Sequence, residues 1–306
     1  MRSIKGINIE ENVSLKNLNT YKIDSKAKYL IRILSVEGLI DTLNYLNNNS
    51  IKYFILGAGS NVILDEYFDG VIIKLDGLNY VNINDLTVTC GSGVMMGRLA
   101  SVTVNNNLTG LEWAINIPGT VGGSINGNAG AYNSEIFDNL ISIKVLTKSL
   151  EVKEMNKEEF KYSYRHTNIK ELGLIVLEAT FELSQGNKEE SLEIIKKRYE
   201  KRKDSQPLDM PSAGSVFRNP EGDHAGRLIE EAGLKGKRIG GAEVSLKHAN
   251  FIVNTGNATS KDIKNLIKLV QDTIKEKYNI QLILEQEIIE WKWDFGKSKK
   301  GKEKKT

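Results

Sequence analysis

Three side chains of this 306-residue chain are of a type and in a setting that could do chemistry: Arg165, Ser215 and Glu285. Arg165 stands in Y-S-Y-R-H-T, a permanent cation among aromatics. It suits a bidentate grip on a carboxylate, or could equally stack on tyrosine at the surface. Ser215, in P-S-A-G-S-V-F-R-N-P (Pro211–Pro220), follows a glycine and precedes an apolar pair, which places it on a turn entering a strand. No His or Asp completes a triad pattern with it, which argues against a hydrolase nucleophile. A hydroxyl there can still protonate a sufficiently basic intermediate, or simply close the turn. Glu285 lies in L-I-L-E-Q-E-I-I-E-W, where strand alternation puts Ile283, Glu285, Glu287 and Ile289 on one face. An acid between isoleucines is either buried with a raised pKa, as a catalytic acid needs, or lies in solvent on an edge strand.

Two glycine-bearing stretches offer backbone rather than side chains. Ile115–Tyr132 reads I-N-I-P-G-T-V-G-G-S-I-N-G-N-A-G-A-Y, with five glycines in twelve residues and no acid from Ala114 to Ser134. Clustered free N–H groups in such a loop form an anion-binding concavity, fit for a phosphorylated cofactor. A plain linker would be richer in Ser and polar residues than this Ile-, Val- and Tyr-bearing segment. G-A-G-S-N (Gly57–Asn61) directly follows the apolar run Lys52–Leu56 and offers the same donors, or a simple tight turn. It is not a dinucleotide fingerprint, because Val62 stands where the third glycine belongs; G-S-G-V-M-M-G (Gly91–Gly97) fails by one position.

The elements that must position these groups can be read from periodicity. Lys28–Leu34, Lys52–Leu56 and Val71–Leu75 read as strands, with a helix from a Ser35 cap to about Asn48, giving an α/β unit over 15–78. Residues 79–204 read as mainly β: a hairpin over Tyr80–Cys90 turning at Asn84-Asp85, a helix Met96–Asn106, a hairpin Ile141–Thr147/Leu150–Met155, a polar-aromatic loop Lys161–Asn168 and a strand Leu174–Leu183. They end in a basic helix Lys188–Lys203 with Leu192, Ile195 and Tyr199 on one stripe and its cations in solvent. Three of the four prolines (Pro207, Pro211, Pro220) mark a boundary at 205–220. Beyond it come a helix Ala225–Ala232, a strand Phe251–Val253, a helix Ser260–Tyr278 with Ile263, Leu266, Ile267, Val270 and Ile274 on one face, and a strand Gln281–Trp291, making a third unit over 205–295.

Bulk properties exclude other classes. The net charge of +3 is set by the Lys-rich end 296–306, which alone carries +5 and reads as a disordered tail; the rest is −2, not a nucleic-acid-binding body. Three scattered histidines (His166, His224, His248) and one cysteine make no metal site. Cys90 reads as a small buried hydrophobe, and a lone cysteine fits a reducing cytoplasm. Neither a signal-peptide h-region nor a membrane-length apolar run is visible.

Taken in order, L-G-A-G-S-N-V, the Pro118 glycine stretch, Y-R-H-T, Q-P-L-D-M-P-S-A-G-S-V-F-R-N-P, A-G-R-L-I-E-E-A-G-L-K-G, K-H-A-N-F-I-V-N and L-E-Q-E resemble the UDP-N-acetylenolpyruvoylglucosamine reductase (MurB) family from about Leu18 to Trp291. The resemblance implies an α+β chain: a two-subdomain FAD-binding unit of the vanillyl-alcohol-oxidase-like (PCMH) type, then an α+β substrate-binding domain. It implies non-covalent FAD held by Gly57, Ala58, Gly59, Ser60, Asn61, Pro118, Gly119, Thr120, Gly122, Gly123 and Ser124, with Asn128, Gly130, Ala131 and Tyr132 lining the cofactor. It also implies that NADPH reduces the flavin, which then reduces the enolpyruvyl group of a UDP-sugar. Arg165 and a protonated Glu285 would stabilise the substrate carboxylate, Ser215 would protonate the adjacent carbon, and Asn219 with the basic residues before Pro207 would contact the UDP-sugar. The enzyme would act as a cytoplasmic monomer without metal, nucleic acid or membrane partners.

Two departures stand out. D-S-K-A-K-Y-L after Ile23 replaces the family's Gly-Gly or Gly-Pro turn, and no extra tyrosine-bearing loop follows Leu174–Leu183, as in the shorter subtype. Two other readings stay open, a flavin oxidase of an alcohol or sugar and a non-catalytic nucleotide-binding protein. The absence of His and Cys from both glycine stretches, where such oxidases attach flavin, argues against the first.

Overall fold

The computed structural model describes Met1 and residues 4–289. The first sheet has the order β1-β2-β5-β3, with β1 (Ile7–Ser14), β2 (Lys26–Ile33), β3 (Tyr53–Ile55) and β5 (Tyr67–Lys74). β1 pairs antiparallel with β2, whereas β2 and β3 run parallel to β5. The parallel crossover needs a helix on the sheet, and α1 (Val36–Asn48) supplies it, burying Leu39, Leu43 and Leu46. Ser35 caps it as expected, its hydroxyl accepting from the Gly38 N–H at 3.1 Å. β1 precedes residue 15 yet belongs to this sheet; its exposed alternation left it without a strong apolar signal.

The second sheet is fully antiparallel: β6 (Val81–Asn84), β7 (Thr87–Gly91), β11 (Leu140–Leu146), β12 (Val152–Asn156) and β15 (Ile175–Glu182), in the order β12-β11-β15-β7-β6. The first hairpin turns one residue later than expected, at Asp85-Leu86, with Asp85 at φ 51°. Around this core pack α2 (Met96–Asn105), α3 (Val121–Asn126), α4 (Ile169–Leu172) and α5 (Lys188–Ser205), with two-residue strands β8 (Leu108–Thr109), β9 (Gly130–Ala131), β10 (Ser134–Glu135), β13 (Tyr162–Ser163), β14 (His166–Thr167) and β16 (Ser184–Gln185). Cys90 is fully buried in β7, and burial pushes its thiol up to about 12.

Three expectations change here. The glycine-rich stretch is not all loop, because α3 runs through its middle from a Thr120 cap. The polar-aromatic loop is a hairpin, β13 pairing β14 around Tyr164-Arg165. The apolar stripe of α5 does not pack: Leu192 and Tyr199 are about half exposed, and Ser191 is the buried residue of the helix. α5 is instead held by polar contacts. Ser191 donates to buried Glu112 at 2.7 Å, and the Arg198 guanidinium lies 4.7 Å from the Tyr132 ring centroid.

The third unit joins α6 (Ala225–Glu231) and α7 (Ser260–Tyr278) to the sheet β17-β18-β19, formed by Arg238–Ile239, Ala242–Val244 and Ile252–Asn254. β17 and β18 are too short to show a sequence pattern. α7 starts at a Thr259–Asp262 capping box and buries the five expected residues, Ile263, Leu266, Ile267, Val270 and Ile274. Among the described residues the expected strand Gln281–Trp291 is ladder-paired only over β20 (Glu287–Ile289), which runs parallel to β4 (Val62–Leu64). Residues 283–285 pair instead with the Ser215 segment, through a Phe217–Leu284 bridge and the Arg218–Ile283 and Glu285–Val216 backbone bonds. The ends of that strand and of the third unit, and the whole Lys-rich tail, lie outside the described residues.

Candidate active site

The two glycine-bearing stretches meet. The Ser60 hydroxyl donates to the Pro118 carbonyl at 2.6 Å, and a Cβ added to Gly57 would stand 2.9 Å from the Thr120 hydroxyl. Peptide geometry then fixes where their N–H groups aim, because the C=O and N–H of one trans peptide point opposite ways. Lys74 holds the Gly57 carbonyl, and the Thr20 N–H holds the Gly59 carbonyl at 3.1 Å, so the Ala58 and Ser60 N–H groups point away from both. Met96 N–H likewise holds the Gly119 carbonyl at 2.9 Å and turns the Thr120 N–H outward. None of these outward N–H groups donates to another described residue. Gly59, at φ +66° and with the Leu18 carbonyl 2.1 Å from where a Cβ would fall, has to be glycine.

Not every N–H group of these stretches is free. The Val121 and Gly122 N–H groups are spent on the Val94 and Ser92 carbonyls, and the absence of a Gly122 side chain lets α3 sit on Ser92. The Thr120 hydroxyl accepts from the Gly123 N–H at 3.3 Å, and Ser124 N–H returns to Thr120. Downstream, Asn128 is fully buried; its amide donates to the Ser163 carbonyl at 2.9 Å while its Oδ1 finds no partner among the described residues. An orphaned buried acceptor beside a cradle of free N–H groups fits a polar cofactor that carries both a diphosphate and a hydrogen-bonding ring. Ala131 and Tyr132 pack on the core of the second sheet, with the Tyr132 hydroxyl donating to the Arg198 carbonyl at 3.0 Å.

Arg165 and Glu285, 120 residues apart, are in contact: Arg165 Nε donates to Glu285 Oε1 at 3.0 Å. The tight β13–β14 hairpin puts Arg165 at φ 55° and turns its guanidinium inward, where Nη2 donates to the Gly130 carbonyl at 2.6 Å and Nη1 to the Asn128 backbone carbonyl at 3.4 Å. Burial lifts the Glu285 carboxyl above the ordinary carboxylate range, outweighing the pull of Arg165 and of Arg218.

Ser215 lies alongside. Its segment pairs with that of Glu285, whose N–H donates to the Val216 carbonyl at 2.8 Å, and Ser215 itself bridges Phe251. Gly214, at φ +74°, makes the turn before it. Asn219, by contrast, uses its Oδ1 to accept the Ala225 N–H at 3.1 Å at the start of α6.

Several contributors carry no sequence signal of their own. Arg218 lies inside the S-V-F-R motif, and its Nε is buried without a partner among the described residues. Arg202 Nε and Gln206 Oε1, at the end of α5, are buried and unpartnered in the same way. Asn250 clamps Phe217 from both sides, accepting its N–H at 3.0 Å and donating to its carbonyl at 2.8 Å. The one signal Lys74 offers is a cation inside the apolar run V-I-I-K-L (Val71–Leu75).

Comparison with known proteins places this geometry. Residues 27–156 match the FAD binding domain family, and residues 206–289 match the family described as UDP-N-acetylenolpyruvoylglucosamine reductase, C-terminal domain. The reductase of that name from Clostridium tetani is 43% identical over 283 residues, covering 92% of each chain. That from Bacillus licheniformis is 43% identical, covering 91% of this chain and 93% of its own. The chain belongs to the UDP-N-acetylenolpyruvoylglucosamine reductase family. The solved reductase from Thermus caldophilus superposes with a TM-score of 0.79 at 33% identity, over 92% of this chain and 99% of that one. As a member of the family the protein is an FAD-binding oxidoreductase, an α+β chain with a flavin-binding unit followed by the family's C-terminal domain. Among the described residues no helix is long and apolar enough to cross a membrane, and no group of three His, Cys, Asp or Glu could hold a metal.

Proposed function

We propose that the protein reduces the enolpyruvyl group of UDP-N-acetylglucosamine-enolpyruvate to give UDP-N-acetylmuramate, a peptidoglycan precursor, with NADPH as reductant. The observation that carries this reading is the Arg165–Glu285 contact, set against the carbonyls of the glycine-rich segment on one side and the Ser215 strand on the other. Bound FAD supplies a group that accepts hydride from NADPH and gives it to a carbon–carbon double bond. The N–H groups of Ala58, Ser60 and Thr120 would hold its diphosphate, and Asn128 Oδ1 would accept from its ring.

Addition at the methylene carbon of the enolpyruvyl group drives negative charge onto the adjoining carboxylate. Arg165 is fixed by three hydrogen bonds and needs little reorganisation to meet that charge. Burial raises the Glu285 pKa, and in its protonated form the carboxyl would donate a hydrogen bond to the same group instead of repelling it. One preorganised donor of this kind lowers the barrier by about 3 kcal/mol. The carbanion-like carbon next to the carboxylate is basic enough to take a proton from the Ser215 hydroxyl. Arg202, Gln206 and the exposed amide of Asn219 are assigned to the UDP-sugar, since buried unpaired polar atoms call for a polar ligand. The same reading places the enzyme in the cytoplasm as a monomer.

The two half-reactions separate the roles. In stopped-flow experiments Ser215→Ala should keep flavin reduction by NADPH and slow reoxidation by the enolpyruvyl substrate by orders of magnitude. Survival of both half-reactions would remove Ser215 from the chemistry.

A further inference from the structure

Gln286, next to Glu285, points the opposite way and is buried. Its amide spends both of its donor hydrogens and one acceptor position of its oxygen. Oε1 accepts from the Tyr21 hydroxyl at 3.0 Å, and Nε2 donates to the carbonyls of Ala213 at 3.1 Å and Gly214 at 3.2 Å. Tyr21 is itself fully buried, and its own carbonyl accepts from the Asn254 amide at 2.8 Å. One amide therefore joins the segment before β2, the last extended segment of the third unit, and the turn that carries Ser215.

The chemistry of the link requires an amide. The buried phenol hydroxyl needs an acceptor and the two carbonyls need donors; a carboxylate supplies only part of this and an alkyl group none of it. The Gly214 carbonyl and the Ser215 N–H belong to one planar peptide. Holding that carbonyl fixes the plane from which the Ser215 side chain projects. Gly214 is at φ +74°, with nothing within 4 Å of where a Cβ would stand, so packing alone does not hold this turn.

We infer that Gln286 is a positioning residue, which orients the Ser215 hydroxyl by clamping the Gly214 carbonyl and keeps it in register with Glu285 through their shared backbone. The inference rests on the role proposed for Ser215. It concerns the proton-delivery geometry and not the binding of cofactor or the reduction of the flavin.

The test is a double-mutant cycle on the FAD-loaded enzyme, read in both half-reactions and in thermal unfolding. Gln286→Met keeps the length and removes the hydrogen bonds. It should slow reoxidation of the reduced flavin by the enolpyruvyl UDP-sugar about ten- to a hundredfold, the range expected for a reacting group displaced by about 1 Å. Flavin reduction by NADPH should stay within about twofold. In a Ser215→Ala background the same change should cost nothing further, because there is no hydroxyl left to misplace. Additive losses, or unchanged reoxidation in the folded variant, would overturn the positioning role while leaving Ser215 in place. If Gln286→Met does not fold, Tyr21→Phe serves; it should slow reoxidation alone, at least about threefold, and an unaltered rate would overturn the proposal. If Ser215→Ala itself leaves reoxidation unchanged, the reading beneath the proposal fails and the proposal falls with it.

Discussion

The Asn61 amide donates to the backbone carbonyl of Glu285 at 3.2 Å, and the Glu287 N–H returns to the Asn61 carbonyl at 2.9 Å. The last residue of the first glycine-bearing loop is thus hydrogen-bonded to the segment that carries the buried acid. β4 and β20 extend the contact for three further pairs, Val62–Glu287 to Leu64–Ile289. Asn61→Ala removes the side-chain half of this join. It should cost about 0.5–1.5 kcal/mol of stability and lower kcat more than it raises the KM for NADPH. Chemical denaturation and steady-state kinetics check both, and an unchanged kcat would show that the join is structural only.

Lys74 is buried, bonds the Gly57 carbonyl, and has its ammonium pKa lowered by burial. Lys74→Met releases that carbonyl and lets the Ala58 peptide turn, losing an aligned donor and a nearby positive charge. FAD affinity of the apoprotein, measured by fluorescence titration, should fall about tenfold, worth about 1.4 kcal/mol. The apoprotein should lose little stability, since a desolvated charge is removed along with its bond.

Glu285 gives a pH signature whose sign follows from its raised pKa. The folded state holds the proton more tightly than the unfolded one, so this group stabilises most below the unfolded carboxylate value. That contribution is lost as pH rises through the higher folded value. Glu285→Gln, permanently neutral, should show a smaller drop in Tm between pH 5 and pH 8 than the parent protein, while reoxidation by substrate is slowed. An equal drop in both proteins would mean that Glu285 is ionised in the folded state.

Glu112 behaves in the opposite sense. Burial pushes its pKa up, but hydrogen bonds from the Thr109 hydroxyl at 2.6 Å, the Gly110 N–H at 2.9 Å and the Ser191 hydroxyl outweigh it and hold the carboxyl below its ordinary value. Its stabilisation is present above the unfolded value and lost as pH falls through the folded one. Glu112→Gln should cost about 1–3 kcal/mol at neutral pH and less in acid, and it should loosen α5, as hydrogen exchange over 188–205 would report.

What the sequence revealed, and what it hid, follows from the range of the signals. α1 and α7 were legible to within a residue because an apolar stripe and a capping side chain sit within a few turns of each other. The α5 stripe misled, because Leu192, Ile195 and Tyr199 have helical spacing although the helix is held through Ser191 and Arg198 instead. Arg165, Ser215 and Glu285 could each be singled out, but their proximity depends on pairings across 120 residues (Arg165–Glu285) and 69 residues (Val216–Glu285) that no local pattern encodes. Gln286 was invisible for a related reason: a glutamine between two glutamates looks solvated until the buried phenol it serves is placed beside it.

The central claim is that a flavin held by these loops carries hydride from NADPH to an enolpyruvyl UDP-sugar, and one anaerobic spectrum tests it. The FAD-loaded protein should show a flavin absorbance that NADPH bleaches and that UDP-N-acetylglucosamine-enolpyruvate then restores without oxygen, with one equivalent of UDP-N-acetylmuramate formed. Flavin that NADPH bleaches but only oxygen restores, or a protein that takes up no FAD, would contradict the account.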